Sequence, residues 1–256
     1  MSALEARVAI VTGAGSGIGR IASQAFAAQG WRVAAIDRDE LGLAATALHA
    51  ERIIPIVADV TEDPKALLDE VIEKVGTPSR LMNNAGICRI GSAVTISAED
   101  IAATFEVNLF AAIRLCQATV PLMQSTGGGQ IINVASLAGI LPTPQLSVYA
   151  ASKAALLAYS DVLAKELKGD NIAVVCACPP IVETPMVDYM RELSPTVLGG
   201  QRGIHPLGVV SAIEHALETG TFLAFPGQAK TVWRIKRFAP WFLERQLNRL
   251  QPENSR

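Results

Sequence analysis

Val8-Ala9-Ile10-Val11-Thr12-Gly13-Ala14-Gly15-Ser16-Gly17-Ile18-Gly19 passes from five apolar or β-branched residues straight into a glycine-rich turn. Behind it, Ile18 to Gln29 has the Ala- and Ile-rich pattern of a helix, closed by Gly30 where a left-handed residue commonly ends one. Strand, tight turn and helix in that order make the first half of a βαβ unit. Glycines let the backbone approach a phosphate closely, and the helix N-terminus adds free N–H groups and the positive end of a dipole. A glycine turn alone marks any sharp bend; the strand before and the helix after make this one a phosphate-binding turn.

Outward from that turn the same alternation continues. Trp31–Ile36, Ile53–Ala58, Arg80–Asn83, Gly129–Ser136 and Ile172–Cys178 read as further strands. Helices are expected over Pro64–Val75, 99–124 and 147–168. Apolar strands separated by helices predict a single α/β domain over 1–256, a Rossmann-like doubly wound parallel sheet buried on both faces. Residues 181–210 hold scattered Pro and Gly with no clear period and are expected to form a mobile or substrate-covering segment. Thr221–Phe225 is a candidate final short strand.

Composition bounds the function. The 256 residues are 50% hydrophobic and 18% charged, which argues against disorder, and a net charge of −2 leaves no global basic field for nucleic acid. No run of about 18 apolar residues without a charge is present, and the start Met-Ser-Ala-Leu-Glu-Ala-Arg does not read as a secretory signal. Cys88, Cys116, Cys176 and Cys178 are read as reduced structural residues, and the expected location is cytoplasmic. His49, His205 and His215 have no metal-like spacing, so no metal is expected.

Asp37 ends the second strand, 18 residues beyond Gly19. A carboxylate there accepts hydrogen bonds from both ribose hydroxyls of a dinucleotide and repels a 2′-phosphate, which favours NAD over NADP. The neighbouring Arg38 is the counter-argument, since a guanidinium recruits phosphate. Asp37 also reads as an ordinary loop-start residue, and Arg38 as a solvated charge.

Further along stand Asn83-Asn84-Ala85-Gly86 after the fourth strand, Asn108, and Ser136 placed 13 residues before Tyr149-Ala150-Ala151-Ser152-Lys153. With Thr12-Gly13-x-x-x-Gly17-x-Gly19, these elements resemble the short-chain dehydrogenase/reductase family over roughly residues 7 to 186. Tyr149 and Lys153, four apart, share one helix face. A nearby ammonium and the positive nicotinamide are expected to lower the phenol pKa, so that Tyr149 exchanges a proton with an alcohol or ketone while Ser136 hydrogen-bonds the substrate oxygen. The resemblance implies that Lys153 also holds the nicotinamide ribose and that Asn108 holds a proton-relaying water. It further implies a cofactor site of Gly13, Ser16, Gly17, Ile18, Gly19, Asp37, Arg38, Asp59, Val60, Asn83, Ala85, Gly86, Tyr149, Lys153, Val182 and Thr184. In bland terms, Ser136 is a cap, Asn108 bonds buried backbone, and Asp59 is a helix-start acid.

Two departures from the family stand out. Cys178-Pro179-Pro180-Ile181-Val182-Glu183-Thr184 has Pro180 where the family usually has glycine, which removes an N–H and fixes φ. Residues 229–250 form an extension with six basic side chains against one acidic and two of the three Trp, and Pro240 is expected to kink it. That amphipathic segment suits a lid, a subunit contact or a peripheral membrane contact. Candidate substrate residues are Arg89, Ala138, Gln145 and Met186, in segments that are mainly apolar.

The leading expectation is therefore an NAD-dependent oxidoreductase acting on a hydrophobic secondary alcohol or ketone, assembled as a homodimer or homotetramer. Alternatives are an NADP-dependent carbonyl reductase, a fold relative carrying out elimination or epimerisation, and a dinucleotide-sensing or membrane-recruited binding protein.

Overall fold

In the computed structural model, which describes residues 7–194, 197–198 and 200–241, strand β1 (Val8–Thr12) is buried throughout. Its residues alternate between two apolar cores. Ala9 and Val11 face one, with Phe26, Leu43, Val209 and Ile213; Val8 and Ile10 face the other, with Leu68, Val71, Leu115 and Met123. Such two-sided burial demands helices on both faces and parallel pairing.

The remaining strands are β2 (Arg32–Asp37), β3 (Ile53–Val57), β4 (Arg80–Asn83), β5 (Gly129–Val134), β6 (Ile172–Ala177) and β7 (Leu223–Ala224). All pairs are parallel, in the order β3-β2-β1-β4-β5-β6-β7. The sheet thus has seven strands, the last inside the expected Thr221–Phe225. The chain winds outward from β1 to β3, then crosses back to β4 on the other side of β1. A crevice opens at the carboxyl ends of β1 and β4, where such sheets bind ligands.

The helices are α1 (Gly17–Ala28), α2 (Glu40–Ala47), α3 (Pro64–Lys74), α4 (Ala98–Phe105), α5 (Ala111–Ser125), α6 (Ser147–Glu166), α7 (Pro185–Leu193), α8 (Pro206–Thr219) and α9 (Ala229–Phe238). Asp63 caps α3 by accepting from Lys65 N, and Pro64 supplies its first turn. A π-helical turn, Glu106–Phe110, joins α4 to α5. The resulting helix, Ala98–Ser125, is long and apolar enough to cross a membrane by length and composition, with a mean hydropathy of 1.2. Here Leu115, Cys116 and Met123 on its inner face are buried in the core.

Among the described residues of 181–210 are α7 and the start of α8. Pro185 and Pro206 sit in the first turns of these helices, where a missing N–H costs nothing. In the extension, α9 ends before Pro240, with Ala239 leaving the helical region at φ −143° and ψ 57°. Residues 242–250 of the expected amphipathic stretch lie outside the described residues.

One buried cation ties the layers together. Arg80, at the start of β4, lies between the rings of Phe26 and Trp31, 4.5 and 4.3 Å from their centroids. It donates to Glu214 of α8 at 2.7 Å and to Gln130 of β5 at 2.7 Å. Burial works against its charge and lowers its pKa; Glu214 acts the other way. Removing the guanidinium leaves Glu214, which is about one-fifth exposed, without its partner, and opens a gap between two aromatic rings. Arg80→Ala should therefore cost about 3 kcal/mol, read as a lower urea midpoint at unchanged m-value. A midpoint equal to that of the unaltered protein would refute this account.

Candidate active site

The floor of the crevice is the glycine turn, and its shape depends on close backbone approach. Gly13 (φ +66°) lies so near β4 that a Cβ would stand 2.9 Å from Ala85 Cα. Gly17 (φ +51°) faces Thr184, with Cγ2 2.9 Å from where a Cβ would be. The turn is stitched to β4 by Asn84, whose Nδ2 donates to the carbonyls of Thr12 (2.9 Å) and Gly13 (3.2 Å). In return Thr12 Oγ1 accepts from the N–H groups of Asn84 and Ala85, both at 3.0 Å. The motif reading passed over Asn84 as a neighbour of more obvious residues; its role depends on a contact 72 residues away in sequence.

No side chain caps α1: Ser16 makes no side-chain cap bond, and the first turn contains no acid. A helix start of this kind suits an anion. The cradle that any Cβ would fill, together with this uncapped helix start, fits the pyrophosphate of a dinucleotide.

At the adenosine end, Asp37 Oδ2 accepts from Gly15 N at 2.9 Å and Oδ1 accepts from Asp39 N at 3.0 Å, which fixes the carboxylate at the rim of the turn. Arg38 is exposed beside it. Asp59 Oδ1 takes hydrogen bonds from the N–H and hydroxyl of Thr61, at 2.8 and 2.7 Å, and these hold its pKa below the usual carboxylate value. Asp37, Arg38, Asp59 and Val60 all line the crevice, as do Ala85, Gly86, Val182 and Thr184.

Two of the expected cofactor residues do not line it. Asn83 turns into the sheet, where its Nδ2 donates to Asn133 Oδ1 at 2.8 Å. Because alternate strand residues face opposite ways, Asn84 and not Asn83 is presented to the turn. Gly19 is also absent from the wall: it allows α1 to start against Gly13, whose carbonyl oxygen would be 2.1 Å from a Cβ.

The crevice continues into a cavity of about 830 Å³ that also takes in Ser136, Tyr149 and Lys153. Ser136 leaves the end of β5, and its Oγ accepts from Ala138 N at 3.1 Å, so the hydroxyl is oriented by the turn it caps. Tyr149 and Lys153 lie one turn apart on α6. Lys153 Nζ donates to Val134 O at 2.8 Å, and burial draws its pKa down to about 8.

The lowered phenol pKa is expected with the positive nicotinamide in place; in the protein alone the direction is opposite. Burial pushes Tyr149 up to about 12, and the Ser136 hydroxyl bonded to it opposes this only in part. With the Lys153 ammonium itself disfavoured by burial, desolvation dominates in the protein alone.

Asn108 sits in the π-helical turn with its amide fully used. Its Oδ1 accepts from Ile87 N (2.8 Å), while Nδ2 donates to Ile87 O (2.9 Å) and Ser152 Oγ (3.0 Å). The side chain therefore anchors the loop after β4 to α6.

On the substrate side Ala138, Gln145 and Met186 line the cavity, with Leu141, Met190, Leu198 and Val232. Val232 comes from α9, and Trp233 beside it packs on Phe225 with ring centroids 5.5 Å apart. Arg89 is not part of this wall; its Nε lies 3.0 Å from Asp100 at the start of α4, where a carboxylate is available and the apolar cavity offers none. Pro180 lines the cavity floor, and Pro179 O accepts from Leu137 N at 2.8 Å, so the departure from glycine is absorbed without losing that contact.

Comparison with known proteins identifies the family. The family model for short chain dehydrogenases matches residues 7–194. A 3-oxoacyl-(acyl-carrier-protein) reductase of Thermotoga maritima is 37% identical over 195 residues, 74% of this chain and 79% of that protein. A D-threitol dehydrogenase of Mycolicibacterium smegmatis is 34% identical over 208 residues, 75% of this chain and 80% of that one. Among solved structures, a short-chain dehydrogenase/reductase from Burkholderia phymatum in complex with NAD superposes with a TM-score of 0.83 at 27% identity, covering 96% of this chain and 97% of its own. By both fold and sequence the chain belongs to the short-chain dehydrogenase/reductase family of oxidoreductases.

Proposed function

We propose that this oxidoreductase uses NAD to interconvert a hydrophobic secondary alcohol and its ketone. The observation that carries this reading is the shared cavity: Tyr149 and Ser136 face a mainly apolar chamber that opens directly onto the glycine turn. When bound, the cofactor would supply the hydride acceptor for alcohol oxidation and the hydride donor for ketone reduction. Gly13, Ser16, Gly17 and Ile18 are the residues that would hold the pyrophosphate, with Asp37 on the adenosine ribose and Lys153 on the nicotinamide ribose.

In the oxidative direction Tyr149 takes the proton of the alcohol oxygen as its C–H bond breaks. In the reductive direction it protonates the oxygen of the ketone. Ser136 donates a hydrogen bond to the same oxygen and stabilises charge that develops there. Ala85 and Gly86 shape the floor, Asn108 holds the loop that carries them although it does not itself line the cavity, and Ala138, Gln145 and Met186 exclude water from the reacting carbon. The positive nicotinamide supplies what the isolated protein lacks, an adjacent charge favouring the Tyr149 phenolate.

The preference for NAD rests on the fixed Asp37 carboxylate. A 2′-phosphate within about 4 Å of it would be repelled by up to about 4 kcal/mol at an effective dielectric near 20. NADH should thus bind more tightly than NADPH and support reduction of aryl and long-chain ketones. Asp37→Ala should narrow the NADH-to-NADPH affinity ratio by about tenfold or more, since Arg38 then meets the phosphate unopposed. Tighter binding of NADPH by the unaltered protein would overturn the cofactor assignment, and no reduction across the ketone panel would overturn the substrate class.

Exposed Phe110 and Val162, on the helices facing away from the sheet, suit the pairing of copies into a dimer or tetramer. The placement of Val232 in the cavity favours a lid role for α9 over a membrane contact. All four cysteines are buried and free, which suits a reducing compartment such as the cytoplasm.

A further inference from the structure

Glu183 has no place in the chemistry above, yet it sits between two residues that do, Val182 and Thr184. Its carboxylate is gripped by α7 through a bidentate pair: Arg191 Nη1 donates to Oε2 at 2.7 Å and Nη2 to Oε1 at 2.9 Å. Oε1 also accepts a close hydrogen bond from Gly203 N. The backbone around it is paired as well, with Glu183 N donating to Ile204 O (3.0 Å) and Ile204 N to Ile181 O (2.9 Å). Arg191 Nη2 reaches Gln201 O at 3.3 Å and Nη1 lies 3.3 Å from Asp188 Oδ1 on its own helix, so one guanidinium ties α7 to both the Glu183 segment and the loop at Gln201.

Gly203 is required for this closeness, because a Cβ there would lie 2.9 Å from Glu183 N and 3.0 Å from its Oε1. Arg191 and the Gly203 N–H hold the carboxyl down at about 2, so it remains charged at any working pH.

What is clamped is the substrate wall. Met186, Val187 and Met190 of α7 line the cavity, as does Gln201. At its far end α7 is fastened a second time, where Ser194 Oγ bonds Gln145 Oε1 at 3.0 Å. Gln145 itself has a left-handed backbone (φ +68°), unusual for its type, and its carbonyl accepts from Gly91 N at 3.0 Å. The apolar face of α7 is thereby pinned between the reacting loop and the tripeptide Val182-Glu183-Thr184 that borders the glycine turn.

We infer that Glu183 is a positioning residue, which through Arg191 and Gly203 holds α7 in register with the cofactor-facing Val182 and Thr184 and so sets the affinity for the carbonyl substrate. This inference rests on the proposed alcohol–ketone reading. The pair is substantially exposed, so it adds little to global stability; its effect is local, on how long α7 stays in place.

The test is Glu183→Gln, which keeps the shape and removes the charge, with Arg191→Met as the same cut made from the helix side. Amide hydrogen exchange is followed together with kinetics on an aryl ketone. Exchange over 185–193 should accelerate by about tenfold, KM for the ketone should rise by about tenfold, and kcat and the NADH dissociation constant should stay within about twofold. Arg191→Lys, which keeps the charge without the fork, should fall between. Unchanged exchange in α7, or acceleration spread equally over the β-sheet, would overturn the assignment. Because exchange is measured without turnover, a protein that reduces no ketone would refute the proposed reaction while leaving the clamp to be judged on exchange alone.

Discussion

Tyr149→Phe is expected to lower turnover by about 10²–10⁴-fold, the range for a positioned general acid–base, while NADH still binds with nearly its original affinity. The substitution removes one oxygen and leaves the ring in its packing against Cys88, Leu146 and Met190. The hydroxyl is the only part of the side chain that meets the reacting oxygen. In the unaltered protein, burial holds that phenol up at about 12 and Lys153 down at about 8. Alcohol oxidation requires the phenolate, so its rate should rise with pH as the tyrosine ionises. Ketone reduction requires the protonated form, so it should be lost over the same interval. With saturating NAD the positive ring moves this interval towards neutrality, and the displacement between free and cofactor-bound profiles measures how much of the activation the cofactor provides. The Phe variant should lack this limb altogether. Turnover within about tenfold of the original would exclude Tyr149 as the proton carrier, and a matching loss of NADH affinity would show that the residue holds the cofactor instead. Fluorescence titration of NADH alongside steady-state rates separates the two.

The parts of this site that could be read in the sequence are those encoded locally. The glycine turn, the strand before it and the helix after it are consecutive, and the Tyr149–Lys153 pair is one helical turn. The two-sided burial of β1 and β2 follows from their apolar runs, which hold in the structure, whereas β3 at the sheet edge exposes Pro55 and Val57. What escaped notice depends on long-range pairing. Asn84 is identifiable only once β1 and β4 are neighbours, and Arg89 looked available to substrate because nothing in sequence points it at Asp100. Helix α2 is short and carries Gly42, whose Cβ would meet Gly15 O at 2.7 Å, so its weak helical signal reflects a packing demand. Helices α7 and α8 open on Pro185 and Pro206, which a first turn accommodates, where scattered Pro and Gly leave no clear period in the sequence. The phenol shows the same limit: charge proximity is visible in a motif, whereas the desolvation that opposes it in the cofactor-free protein is a property of the folded interior.

Gly19→Ala should be the most damaging single methyl in the cradle. The added Cβ would stand 2.1 Å from Gly13 O and 2.6 Å from Asn84 Nδ2, an overlap with backbone that no side-chain rotation relieves. Either the start of α1 or the Gly13 peptide must move, and both carry N–H groups that the proposal assigns to the pyrophosphate. Losing two charge-assisted hydrogen bonds at about 1.5–3 kcal/mol each corresponds to about 10²–10⁴-fold in NADH affinity. Asn84 would be displaced as well, loosening the stitch to β4 and lowering the melting temperature. Gly169→Ala is the control: nothing lies within 4 Å of a Cβ there, and its affinity and stability should match the unaltered protein. Because Gly19 does not itself line the crevice, the effect must pass through the backbone; a Gly19→Ala protein that binds NADH normally would mean that the turn does not hold the pyrophosphate. A variant that fails to fold is answered by Gly17→Ala, whose overlap is with the Thr184 side chain at 2.9 Å, whose left-handed backbone (φ +51°) adds strain, and whose affinity loss should still be measurable.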